Sequence, residues 1–226
     1  MKSSIDLFTK IYENKIWGDN ISTEFNGNSG GGSYINKINL NQYIPFIKKF
    51  IDNKKVESVV DVGCGDFRCG ELIHKDKNYL YKGYDVYKKM IDAHNEKFKD
   101  NKNLKFIFAD IINKPEELEK ADLCIIKDVL QHLSCEMIYK FMDYITSNKI
   151  FKYILIINTC NQNRNNQKLL GENTFNTFRP LSGKFLPLNK YNTQILYNYG
   201  EKDDPKEISV IELLNKRPGK LKMSYF

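Results

Sequence analysis

Hydrophobic positions recur along this chain in short blocks that alternate with amphipathic ones. The blocks "VESVVDV", "YLYKGYDV", "LKFIFAD", "ADLCIIKDV" and "YILIINT", between Val56 and Thr159, are almost wholly apolar and rich in β-branched or aromatic residues, so each predicts a strand buried on both faces. Between them the spacing turns helical: a start at Cys69–His74, Lys88–Lys99, a short piece at Pro115–Lys120 with proline in its first turn, and a longer helix capped by Ser134 and running to Ser147. Strand–helix alternation of this kind predicts a parallel sheet with helices on both sides. The pattern then changes. "YNTQILYNYG" and "KEISVIELLN" read as two strands with no helix between them, which predicts an antiparallel pair at one edge. Upstream, Ile5, Phe8, Ile11 and Tyr12 share one helical face within Ile5–Ile16, and Ile38–Ile51 reads as a second helix interrupted by Pro45. "NGNSGGGS", Asn26–Ser33, is a loop. The expectation is one structural domain of 226 residues: a helical cap and glycine-rich flap over 1–55, then an α/β core over 56–226 with a seven-stranded, mostly parallel sheet.

Composition narrows the class. Hydrophobic residues make up 41% of the chain, enough for a sizeable core, and no apolar run approaches the roughly 18 residues of a membrane span. The opening "MKSSIDLFTKIYENKIWG" lacks the apolar centre of a secretory signal. The five cysteines contain no C-x-x-C pair, and Cys124 and Cys160 sit in or just after apolar runs; this argues for reduced thiols in a cytoplasmic protein rather than disulfides or a metal site. The net charge of +7 changes the picture little. Only Arg68, Arg164, Arg179 and Arg217 are arginines, the lysines are scattered, and the Lys and Asn excess reads as the codon bias of an AT-rich genome, not as a nucleic-acid footprint.

The densest candidate chemistry lies in "VVDVGCGDFRCGE", Val59–Glu71, where Gly63 and Gly65 follow an apolar strand. Glycine admits unusual backbone angles and close approach of a ligand to the main chain. A dinucleotide fingerprint would need a third glycine at position 68, which is Arg68, and a P-loop would need G-K-S/T, which is absent. A cofactor without phosphate, S-adenosylmethionine, needs neither: it needs backbone amides near its methionine carboxylate and an acid for its ribose hydroxyls.

The stretch "VVDVGCGDF" resembles motif I of the class I S-adenosylmethionine-dependent methyltransferases, and the resemblance extends over roughly Val56–Thr159. It implies the Rossmann-like fold of that family, with S-adenosylmethionine as cofactor. Asp61, Gly63, Cys64 and Gly65 would form the cofactor turn. Asp85, with Val86, closes the second strand where the family's ribose-binding acid sits; Asp110, with Ile111, closes the third, where a carboxylate meets the adenine amino group. "IIKDVLQHLS" is similar to the fourth-strand motif and puts Asp128 near the methionine end. One departure stands out: the family often has a third glycine at or near Phe67, so Phe67 and Arg68 are expected close to the cofactor or the substrate mouth. Asp85 and Asp110 also fit as helix N-caps, a role that does not exclude the first.

Methyl transfer to oxygen needs alignment and, for a neutral hydroxyl, a base. His132, a few residues past the fourth strand, suits that role, though a packed or solvated turn histidine would look the same. Asp128 is the second catalytic candidate, expected to orient the cofactor's ammonium or the substrate. His74 and His94 are expected on helices facing away. "WGDNISTEFNGNSGGGSY" is expected to fold over the cofactor as a flap carrying Trp17 and Ser33, with Tyr34 toward the acceptor; a plain linker is the alternative. A similar Trp-Gly and Ser-Gly-rich leader occurs in compact bacterial methyltransferases of surface-glycan gene clusters. Arg179 in "NTFRPLSG" is expected to hold a phosphate or carboxylate of the substrate; a surface arginine bridging loop carbonyls is the alternative. These features point to O-methylation of a small molecule such as a sugar, sugar nucleotide or glycan precursor. The alternatives are a methyltransferase acting on RNA or protein, and a non-catalytic cofactor-binding module.

Overall fold

The computed structural model describes residues 4–18, 29–30, 33–160 and 179–213. The segments 19–28 and 31–32 of the expected flap, Arg164, Arg217 and the last residues of "KEISVIELLN" lie outside them. Seven strands form one sheet: β1 (Ser58–Val62), β2 (Leu80–Asp85), β3 (Leu104–Phe108), β4 (Ala121–Lys127), β5 (Phe151–Thr159), β6 (Gln194–Glu201) and β7 (Asp204–Glu212). Their spatial order is β3-β2-β1-β4-β5-β7-β6. The first five are parallel, β7 runs antiparallel to β5, and β6 pairs antiparallel with β7 at the edge.

Among the described residues, five α-helices pack on the sheet: α1 (Ser4–Glu13), α2 (Ile44–Lys54), α3 (Arg68–His74), α4 (Lys88–Lys97) and α5 (Cys135–Ser147). The strands explain why both faces need cover. Along β1, Val59 points into the core shared with α2 and α3, while Val60 and Val62 point into the core shared with α5. α5 shows the local logic. Ser134 caps its start, its Oγ accepting from the Met137 amide at 3.2 Å. Ile138, Phe141, Met142 and Ile145 then recur at helical spacing and are fully buried. Each contributes about 1.5–3 kcal/mol relative to an exposed position.

Two elements differ from the sequence expectation. The second helix is not one α-helix: Asn39–Tyr43 is a π-helical turn, and α2 starts only at Ile44. Pro45 has no N–H to donate back to Asn41, and the Ile44 amide instead bonds to Asn39 O, five residues back. Pro115–Lys120 forms only a 3-10 turn, Pro115–Glu117.

The chain goes outward through β1, β2 and β3, then returns to place β4 and β5 on the other side of β1. This reversal between β1 and β4 opens a crevice at the strands' carboxyl ends, the place where open α/β sheets bind ligands. No helix of the described residues is long and apolar enough to cross a membrane. All five cysteines are free thiols.

Candidate active site

The turn after β1 is pinned to its neighbour: the Gly63 and Cys64 amides both donate to Tyr84 O, at 2.8 and 3.0 Å. Gly63 and Gly65 have φ of +72° and +56°. A methyl on Gly63 would lie 2.5 Å from Val129 Cγ2, so the turn passes too close to the β4 loop for any other residue. Phe67 also has a positive φ, +57°, in the region where the family often has glycine. What holds it is its ring. Phe67 lines the crevice, next to where the cofactor is expected, but its ring turns into an aromatic cluster with Tyr81, His94, Phe98 and Phe106 instead of standing at the substrate mouth, and Gly70 leaves the room it needs.

Asp85 ends β2 beside this turn. Its Oδ2 accepts from the Gly65 amide at 3.1 Å, and its Oδ1 from Val86 and Tyr87 at 2.7 and 3.1 Å. Three backbone donors therefore fix the carboxylate's orientation in the crevice. Burial pushes its pKa up to about 6 despite those amides. It is not the cap of α4, which begins after Tyr87 with no side-chain cap. Asp61 is likewise raised to about 6 by desolvation, against the Tyr81 hydroxyl at 2.9 Å and the nearby Lys127 charge. Asp110 bonds to Asn113 Nδ2 at 2.9 Å and stiffens its own turn.

At the other end of the crevice, Asp128 sits at φ +56° between two ammonium groups: Lys127 Nζ at 2.7 Å and Lys206 Nζ at 2.9 Å. Burial alone would raise its pKa, yet the two lysines hold it well below the usual carboxylate range. A carboxylate so held is a poor proton acceptor, which weighs against Asp128 as the base. His132 ends a 3-10 turn, Leu130–His132, with its ring 5.3 Å from that of Trp17. Trp17 in turn packs on Phe8 and Tyr12, and Tyr12 stacks on Tyr87 at 4.6 Å.

The described part of the leader docks onto the glycine turn. Ser29 donates its amide to Asp66 Oδ2 (3.2 Å) and accepts the Asp66 amide (2.8 Å); Ser33 Oγ lies 2.7 Å from the same carboxylate, and Tyr12 Oη lies 3.1 Å from Ser29 Oγ. Ser29 fills the space above Gly65, where a Cβ would come within 2.5 Å of its Oγ.

One crevice thus brings together Asp61, Gly63, Cys64 and Gly65 from the turn, Asp85, Val86, Asp110 and Ile111 from the ends of β2 and β3, and Asp128 and His132 from the β4 loop. Trp17, Ser33 and Arg68 also line it. Tyr34 lies just outside, under the Arg68 guanidinium at 5.8 Å. Arg179 departs from expectation: it is buried, and its Nη2 donates to Leu133 O, so it anchors the entry to α5 instead of offering its fork to a ligand. His94 does not face away either. It lies buried under the glycine turn with Nε2 2.9 Å from Gly65 O. His74 is buried against Tyr79, and burial lowers its pKa to about 3. Sequence reasoning missed Asp66, Tyr12, Tyr43 and Lys127. For Lys127 a signal existed, a cation closing an apolar strand; for Tyr43 there was none.

The donor set fits a nucleoside with an amino-acid tail: carboxylates at the ends of β2 and β3, and groups of both signs by β4. The profile of the family described as a methyltransferase domain matches residues 53–208. Several solved structures are similar in fold. The methyltransferase domain of bacterial Hen1 (CtHen1) superposes with a TM-score of 0.58 at 18% identity, covering 77% of this chain and 100% of that one. Magnesium protoporphyrin IX methyltransferase (ChlM) from Synechocystis PCC 6803, with S-adenosylmethionine bound, gives 0.61 at 13%, covering 93% and 97%. The bifunctional kinase-methyltransferase WbdD gives 0.56 at 15%, covering 76% of this chain but 39% of that one. No curated protein sequence matches the chain.

Proposed function

We propose that this chain, which belongs to the methyltransferase-domain family and is an S-adenosylmethionine-dependent methyltransferase, passes the methyl group to an oxygen of a small molecule, namely a sugar, sugar nucleotide or surface-glycan precursor. The observation that carries this reading is His132, an imidazole on the β4 loop of the crevice packed against Trp17.

When bound, S-adenosylmethionine supplies a methyl group on a cationic sulfur, already activated for displacement. The chain's residues then have three tasks. Asp85, oriented by three amides, would accept hydrogen bonds from the ribose hydroxyls, and Asp110, in the same crevice, would meet the adenine amino group. Phe8, Tyr12 and Trp17 cover the crevice and keep water from competing with the acceptor. As the acceptor oxygen gains the methyl, its proton passes to a ring nitrogen of His132 and later to solvent. Positioning and water exclusion supply most of the acceleration, because the leaving group needs no further activation. The scattered lysines and the similarity of the leader to that of glycan-cluster methyltransferases favour a small carbohydrate over RNA or protein.

The test is label transfer from methyl-labelled S-adenosylmethionine into separated metabolite, RNA and protein fractions. Alkali-stable label in hydroxyl-bearing carbohydrates is expected. Label confined to RNA or protein would replace this acceptor, and saturable cofactor binding with no transfer to any fraction would leave a non-catalytic module.

A further inference from the structure

α1 stops abruptly, and the way it stops sets the place of Trp17. The Ile16 amide donates to Ile11 O at 3.0 Å and the Lys15 amide to Tyr12 O at 3.1 Å, with Lys15 at φ +55°. That pair of bonds around a left-handed residue is the Schellman ending of a helix. It turns the chain back, and Trp17 folds against the helix it has just left. Its ring meets that of Phe8 at 5.9 Å and that of Tyr12, edge to face, at 5.5 Å. Gly30 of the leader closes another side: a Cβ there would touch Trp17 Cβ and Cγ at 3.8 and 3.9 Å. α1 is itself seated on the core. Ile11 is buried, and Tyr12 stacks on Tyr87, two residues past Asp85.

Trp17 is thus held by α1 and by the leader, and it presents its indole to the His132 ring at 5.3 Å, the planes inclined at 38°. The backbone of His132 is fixed as well. Its amide donates to Val129 O and the Leu133 amide to Leu130 O, both at 3.0 Å, and Leu130, Gln131 and Leu133 are buried. What the backbone leaves open is rotation of the imidazole about its two side-chain bonds. Proton transfer demands a ring nitrogen within hydrogen-bond reach of the acceptor, about 2.6–3.2 Å. A ring that samples several rotamers meets that demand for a fraction of the time. Packing against a rigid aromatic neighbour selects one of them before the acceptor arrives.

We infer that Trp17 is a positioning residue for methyl transfer: it holds the imidazole of His132 toward the acceptor, and through it the N-terminal helix takes part in the reaction. This rests on His132 acting as the base and goes beyond it, since it gives the tryptophan a task at the base in addition to covering the crevice.

The experiment joins kinetics to NMR. Turnover is read as label transfer from saturating methyl-labelled S-adenosylmethionine into the fraction that the native chain labels. Trp17→Leu should lower turnover by about tenfold to a hundredfold, the scale of a misplaced catalytic group, while calorimetric affinity for S-adenosylmethionine stays within about threefold. Trp17→Phe, which keeps an aromatic ring, should recover most of the loss. In a His132→Asn background the same Trp17→Leu change should cost nothing further, because Trp17 acts through the base. Equal losses in the two backgrounds would mark a water-excluding cover alone and overturn the inference. So would undiminished turnover in Trp17→Leu, or a loss confined to cofactor affinity. The NMR arm needs neither cofactor nor acceptor. The chain has three histidines, and the imidazole signals that vanish in His132→Asn are those of His132. They should carry the ring-current shift of the indole and lose it in Trp17→Leu, while those of His74 and His94 stay in place. His132 signals indifferent to Trp17→Leu would overturn the inference. Should Trp17→Leu not fold, through-space contacts between indole and imidazole protons in the native chain would support it and their absence would overturn it. Native turnover in His132→Asn is a distinct result: it removes the base itself, and the inference falls with it.

Discussion

The two ends of the crevice are built in different ways. At the end proposed for adenosine, Gly63, Gly65, Asp85 and Val86 sit where successive strands stop, and the contacts that shape them run from backbone amides to one carboxylate and one strand carbonyl. At the end proposed for the methyl group, Trp17, Tyr43, Lys127, His132 and Lys206 come from five separate elements, and they meet through side chains as far apart in sequence as Asp128 and Lys206. The first end is a property of strand termini, which the parallel sheet aligns whatever the loops do. The second depends on the cap and the antiparallel edge being docked correctly. Binding and turnover should therefore respond separately to substitution.

The largest expected effect tests the methyl end. His132→Asn should lower turnover by roughly a hundredfold or more while cofactor affinity stays unchanged, because a base acts only in the transition state. Near-native turnover on the true acceptor would break the division, and an already ionised acceptor oxygen would explain it. At the adenosine end, Asp85→Ala should weaken cofactor binding by about tenfold to a hundredfold, from the loss of charge-assisted hydrogen bonds worth about 1.5–3 kcal/mol. Unchanged affinity in calorimetry would reduce Asp85 to an organiser of its own turn.

Acid should reveal the same carboxylate. With its pKa at about 6, Asp85 accepts hydrogen bonds from a diol fully only above that pH. Cofactor affinity should be flat above pH 7 and about tenfold weaker at pH 5, falling more steeply still if Asp61, also at about 6, is needed as the carboxylate. Stability without ligand should move the other way. The folded chain binds more protons than the unfolded one between about pH 4 and 6, so these two groups favour folding toward the acid side of that window. A pH-independent cofactor affinity from 7 to 5 would remove Asp85 and Asp61 from recognition.

The smallest effect concerns the seam between the two ends. Asp66→Ala removes the acceptor of the Ser29 amide and the Ser33 hydroxyl. Exchange of the Ser29 amide should accelerate on the order of tenfold, with cofactor affinity reduced about threefold or less. If exchange at Ser29 is unaltered, the leader is held by the Tyr12–Trp17 packing and not by the turn.

Much of this protein was open to inference from the amino-acid string alone. Strand alternation, the helix capped by Ser134, the antiparallel edge and the acids at Asp85 and Asp110 all follow from local periodicity and from residues at strand ends. Those signals work because each depends on neighbours within one turn of helix or one strand of sheet. The tertiary structure decided the rest. It turned Phe67 inward because an aromatic cluster outweighed the strain of a positive φ, and it buried Arg179 against Leu133 O. It slid His94 beneath the glycine turn, and it set Tyr43 over Lys127 through a π-turn that Pro45 helps to impose. None of these placements has a periodic signature. Each is settled by desolvation and packing between segments far apart in the chain, and those energies exist only once the chain has folded.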